Sequence, residues 1–169
     1  MGTLIGDHYG LVHLIAGILA VILGGAVLLL KKGSKLHKQI GYAYCVSMVV
    51  LIVTSFMIYR LFHGFGVFHF FSIVATFSLA MGMVPMFKRQ RTPADYETHF
   101  TRMYFSVVGL YAAFAAESFV RIPSLGTFWQ VVAWSFVLVL AVSMYVFFKK
   151  RGAWSQKFGK GRANRMPSA

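Results

Sequence analysis

The sequence predicts an all-α membrane protein with five transmembrane helices, four of them in an up-down bundle and one peripheral, the N-terminus outside and the C-terminus cytoplasmic. Three observations carry this reading. The 169 residues are 58% hydrophobic and only 12% charged, with a mean hydropathy of +0.68, whereas a soluble domain is about one-quarter charged. Five apolar runs of about twenty residues recur along the chain, each long enough at about 1.5 Å per residue to cross a hydrocarbon core of roughly 30 Å. Basic residues gather on alternate connections, with four in the first, three in the third and seven in the tail out of seventeen Lys and Arg. The positive-inside rule assigns those connections to the cytoplasm.

Residues 1–9 hold an acid and a histidine but no lysine or arginine, so the basic head of a signal peptide is missing and the first apolar run is expected to be kept. That run, residues 10–30, contains one ionisable group, His13. A basic loop with Lys31, Lys32, Lys35 and Lys38 follows and carries His37. The second span is residues 40–62, with Arg60 close enough to its end to snorkel to the interface. His63 to Val67, with two glycines, allows a tight reversal into the third span, residues 68–87, where Pro85 lies near the end. Residues 88–98 are polar and hold Lys88, Arg89 and Arg91, with Thr92 and Pro93 as turn signals. The fourth span, residues 99–120, is the richest in small residues, Gly109, Ala112, Ala113, Ala115 and Ala116, which permit close approach of a neighbour or ligand. The fifth, residues 128–148, is bracketed by aromatics. Residues 1–148 thus form the transmembrane domain. Residues 149–169 form a basic cytoplasmic tail, read as mostly disordered and lying near anionic lipid headgroups.

The net charge of +13 raises nucleic acid as a partner, but the basic residues sit between apolar runs rather than on one soluble face, which is a topology signal; no nucleic-acid binding is expected. Cys45 is a lone cysteine in an apolar run and reads as a small buried residue. No G-x-S-x-G, H-E-x-x-H or phosphate-cradling loop is present, so hydrolase and kinase chemistry have no support.

Ionisable groups within spans are costly, and each is a functional hypothesis. Spans one and three run inward, which puts His13 and His69 within about a turn of the outer end. Spans two and four run outward, which puts His37 and His99 together at the inner end. In a square bundle these are diagonal pairs, roughly 11 to 14 Å apart across the core, a separation that suits two imidazoles on opposite sides of a flat macrocycle. The pattern fits two stacked bis-histidine haem b groups, low-spin and suited to electron transfer, with a redox partner to match. The inner pair also has a plain reading as interfacial residues, His37 beside lysines and His99 at a helix start, whereas the outer pair lies deeper in the apolar runs, where exposure excuses it less.

Glu117 lies near the outer end of span four, at the depth of His13 and His69. It reads either as an ion-pair partner of Arg121, four residues on, or of Arg60, or as the third member of a zinc or iron site with His13 and His69. His8 and His63 lie outside the spans as loop residues that can supply a further ligand. Gly17, Gly24 and Gly25 read as packing surfaces or as clearance for a flat ligand, and the FHFFSIVATF segment as core and lipid-facing packing rather than a quinone pocket. An outward-facing metal site would serve sensing, transport or cofactor assembly. A non-catalytic membrane subunit is the third alternative.

One histidine near the start of each of four consecutive spans, paired first with third and second with fourth, resembles the transmembrane di-haem cytochrome b family that passes electrons from ascorbate-like donors across membranes. The resemblance covers Gly10 to about Val120 and implies haem on all four histidines, although this chain has five spans rather than six. The segments HLIAG, KKGSKLHKQIGYAY, FHFFSIV and AAFAAESFVR are similar to a group of small bacterial membrane proteins known as a domain of unknown function. That likeness covers nearly the whole chain, names no reaction, and implies a multi-pass protein of the bacterial cytoplasmic (inner) membrane.

Overall fold

In the computed structural model the described residues are 8–59 and 64–163, and all their regular structure is helical. Five helices follow in order: α1 (His8–Leu29), α2 (Lys35–Ser55), α3 (Val67–Met83), α4 (Pro93–Phe119) and α5 (Phe128–Ala163). Four stretches are long and apolar enough to cross a membrane: His8–Leu29, Lys35–Ser55, Val67–Phe87 and Phe128–Lys149.

The helix ends follow from local chemistry. Gly33, with φ of 79°, reverses the chain after α1 in a conformation that costs a residue without a Cβ little. Ser34 then caps α2, its Oγ accepting from the His37 backbone N–H at 3.1 Å. The helix therefore begins at Lys35 rather than residue 40, and His37 lies in its first turn instead of the loop before it. At the other end the Thr54 and Ser55 hydroxyls donate back to carbonyls of the preceding turn, and α2 stops at Ser55; residues 60–62 of the expected span lie outside the described residues. Pro85 has no N–H to continue the ladder of α3, and the chain tightens into a 3₁₀ turn, Val84–Phe87. Thr92 and Asp95 form a capping box ahead of Pro93 at the first helical position, so α4 starts six residues before His99.

Helix α5 does not stop at residue 148. It continues to Ala163, well beyond the expected span and through much of the segment expected to be disordered. Extending a nucleated helix adds one hydrogen bond per residue fixed.

Helix α1 packs on α2 and α4, α3 packs on α2 and α4, and α5 packs on α4. Helix α4 is thus surrounded on most sides although it is the least apolar of the inner helices. Its small residues Ala112 and Ala116 are fully buried, whereas Gly109 faces open space. The core joins Ala20, Tyr44, Met48, Leu79, Val107 and Leu110 from four helices. The glycines of α1 serve packing: an added Cβ at Gly24 would lie 3.1 Å from the Tyr44 ring and 3.2 Å from Val107, and one at Gly25 would meet the Tyr111 hydroxyl. A second cluster, Tyr104, Val108 and Phe147, seats α5, and the Tyr104 hydroxyl donates to the Ser143 carbonyl at 2.8 Å. The outer faces carry exposed Ile15, Leu19, Ile22, Phe70, Phe77, Trp134 and Leu138, an apolar surface suited to lipid rather than water.

Candidate functional site

Histidines meet polar partners at both ends of the helix assembly. At the lysine-rich end, Lys32 caps α1 by donating from Nζ to the carbonyls of Val27 at 2.8 Å and Leu28 at 3.0 Å, and burial pushes its ammonium down from its ordinary value. His37 on α2 is within electrostatic reach of Lys32 and of His99 on α4. His99 in turn feels Lys32 and Arg91. The expected inner pair therefore lies at one end of the assembly, within mutual electrostatic range.

The proton placement there can be read from the partners. His99 Nδ1 lies 2.8 Å from the Gly82 carbonyl, which can only accept, so Nδ1 carries the proton and a neutral ring leaves Nε2 bare. An axial histidine held by a backbone carbonyl through its other nitrogen is the usual arrangement in a metal or haem centre. His37 Nδ1 is buried and finds no hydrogen-bond partner among the described residues. Each ring thus keeps one nitrogen outside the hydrogen bonds described, with Lys32 and Arg91 in electrostatic range of the pair.

At the opposite end, His13 on α1 faces α2 and α4. Thr54 Oγ1 gives its proton to the Val50 or Leu51 carbonyl, so it accepts from His13 Nδ1 at 3.1 Å. That leaves His13 Nε2 facing Glu117 Oε2 at 4.0 Å. Glu117 also pairs with Arg121, whose Nη2 is 3.5 Å from Oε1 and whose Nε donates to the Glu117 carbonyl. Glu117 thus takes part in the ion pair while also facing His13; Arg60 and His63 lie outside the described residues, and His8 is exposed at the start of α1.

His69 is at this end too, but turned elsewhere. It is 5% exposed, and its Nδ1 accepts from the Gly66 N–H at 3.1 Å, closing the start of α3. The Tyr59 and Phe65 rings stack on the imidazole with centroids at 4.8 and 5.1 Å, and Phe56 tilts against it at 5.9 Å. Because Nδ1 accepts, the proton of the neutral ring is on Nε2, which is buried and has no partner among the described residues. Metals and haem iron bind a bare nitrogen, so in this arrangement His69 does not fit a ligand to iron through Nε2. Among the described residues, no group of three or more His, Cys, Asp or Glu stands where it could hold one metal ion. A Ser55 to Ser72 hydroxyl bond at 2.7 Å links α2 to α3 beside it.

Several of these partners were not singled out from the sequence: Thr54, which orients His13, the Gly82 carbonyl, which orients His99, and the Tyr59 and Phe65 rings on His69. The Thr-Ser pair closing an apolar run was the one available signal. No family model, curated protein or solved structure matches the chain.

Proposed function

We propose that this chain is a multi-pass electron-transfer protein that holds haem b between His37 and His99 at its lysine-rich end. The observation that carries the reading is the fixed tautomer of His99, tied through Nδ1 to Gly82, within electrostatic range of half-buried His37, whose buried Nδ1 is unpartnered among the described residues. When bound, such a haem supplies one-electron transfer at a coordinatively closed iron. The chain's own part is to orient the two rings, to neutralise haem carboxylates with Lys32 and Arg91, and to exclude water with the surrounding core. All five helices cross a bacterial cytoplasmic membrane in this reading, α4 shielded by its neighbours, with the lysine-rich end and the basic extension of α5 in the cytoplasm beside anionic lipid. Charge asymmetry supports that orientation.

Protein purified from haem-replete cells should give the sharp low-spin bands of a reduced-minus-oxidised spectrum, and His99→Ala should abolish them while His8→Ala does not. A wild-type spectrum without such bands rejects the proposal.

The approach of His13 Nε2 to Glu117 Oε2 favours a second reading, an outward-facing zinc or iron site completed by His69 after its ring turns. Elemental analysis should then find a metal that is lost on Glu117→Ala. A metal-free wild-type protein excludes it.

A further inference from the structure

The cap at the start of α3 explains one nitrogen of His69 and leaves the other unexplained. Nδ1 takes the Gly66 N–H, while Nε2 carries a proton that nothing among the described residues accepts, on a side chain 5% exposed. Buried polar groups without a partner are rare and call for a specific account. The surroundings narrow it. With Tyr59 and Phe65 stacked on the imidazole, an acceptor approaches along the ring edge, in line with Nε2–H. Both covering rings are themselves exposed, Tyr59 at 46% and Phe65 at 63%, so little packing holds them down. They sit where α2 ends and α3 begins, at an end of the assembly whose outer faces are apolar.

A water or a free anion would be a poor match for a donor enclosed by aromatic rings. A flat, lipid-soluble ring with a carbonyl oxygen at its edge meets every condition: it reaches the site from the membrane, stacks with Tyr59 or Phe65, and offers the acceptor that Nε2–H lacks. We infer that His69, with Tyr59 and Phe65, forms a binding site for a quinone, whose carbonyl oxygen accepts the Nε2 proton. The site lies at the opposite end from His37 and His99 and does not depend on haem being bound there.

The test uses full-length protein in nanodiscs of diether phosphatidylcholine, whose lipids carry no ester carbonyl, with decylubiquinone as the probe. Isotope-edited infrared difference spectra should show a saturable carbonyl band at lower frequency than in protein-free discs. His69→Phe keeps the ring and removes the donor; it should eliminate that band and weaken binding about tenfold. His69→Gln places an amide donor at the reach of Nε2 and should retain the band, with affinity within about threefold of wild type. If His69→Phe fails to fold, Tyr59→Leu decides, since loss of a stacking ring must weaken binding several-fold. Absence of a shifted band in wild type, or its survival in His69→Phe, overturns the inference. So does its loss when ester lipids replace the ether lipids, which would make a lipid ester carbonyl the acceptor of the Nε2 proton. The haem spectrum is not part of the readout, so failure here leaves the His37–His99 proposal standing, and the reverse.

Discussion

Tyr44 and Ser106 show how a single hydroxyl pair constrains this interior. Tyr44 is fully buried between α1 and α4, and its hydroxyl lies 2.9 Å from Ser106 Oγ. Tyr44→Phe should destabilise the protein by about 1 kcal/mol in detergent unfolding, because Ser106 loses its partner, and adding Ser106→Ala should cost less than the sum of the two single changes. Asp95 offers a test of sign with pH. Its carboxylate accepts from Lys88 first, and from the Thr92 backbone and hydroxyl, which holds it at about 2, below the usual value near 4. A group whose folded value is depressed stabilises the fold fully above its unfolded value and loses that contribution as pH falls through the folded one. The melting-temperature advantage of wild type over Asp95→Asn should therefore be constant above pH of about 5 and shrink as pH falls through about 4 to 2.

At the scale of the helix, glycines make opposite predictions according to what their missing Cβ would meet. Gly24→Ala places a methyl 3.1 Å from Tyr44 and 3.2 Å from Val107, in a crossing where α2 and α4 close on α1, and should cost about 1 to 3 kcal/mol. Gly109→Ala meets nothing within 4 Å and should stabilise α4 by up to about 1 kcal/mol by helix propensity. Thermal unfolding of the two variants measures both. The helix ends divide in the same way between what sequence shows and what it hides. Apolar runs reveal that a helix exists, but α2 starts where Ser34 caps and α4 where Thr92 and Asp95 close a box, both within polar stretches that hydropathy counts as loop. The extension of α5 to Ala163 escaped for a related reason, since a basic composition suggests solvation without excluding a helix that is already nucleated.

For the whole molecule, the number of helices and the grouping of residues by end were legible, because turns between consecutive apolar runs reverse the chain and depth can then be counted along each run. His37 comes within electrostatic range of His99, and His13 Nε2 comes to 4.0 Å from Glu117 Oε2. What such counting could not give is rotation about each helix axis. His69 has the right depth but points into Tyr59 and Phe65, and Thr54 rather than a second histidine receives His13. The covered position of α4 bears on biogenesis. A segment carrying His99, Arg102 and Glu117 has weak grounds to leave the translocon alone, and its buried face fits surfaces of α1, α3 and α5. It would partition into lipid as half of a hairpin with α3 or α5, so a reporter fusion carrying α4 alone should be extracted by alkaline carbonate more readily than one carrying α4 together with α3 or α5. Order of synthesis, and not only the final packing, then decides whether the two histidine-bearing ends are assembled.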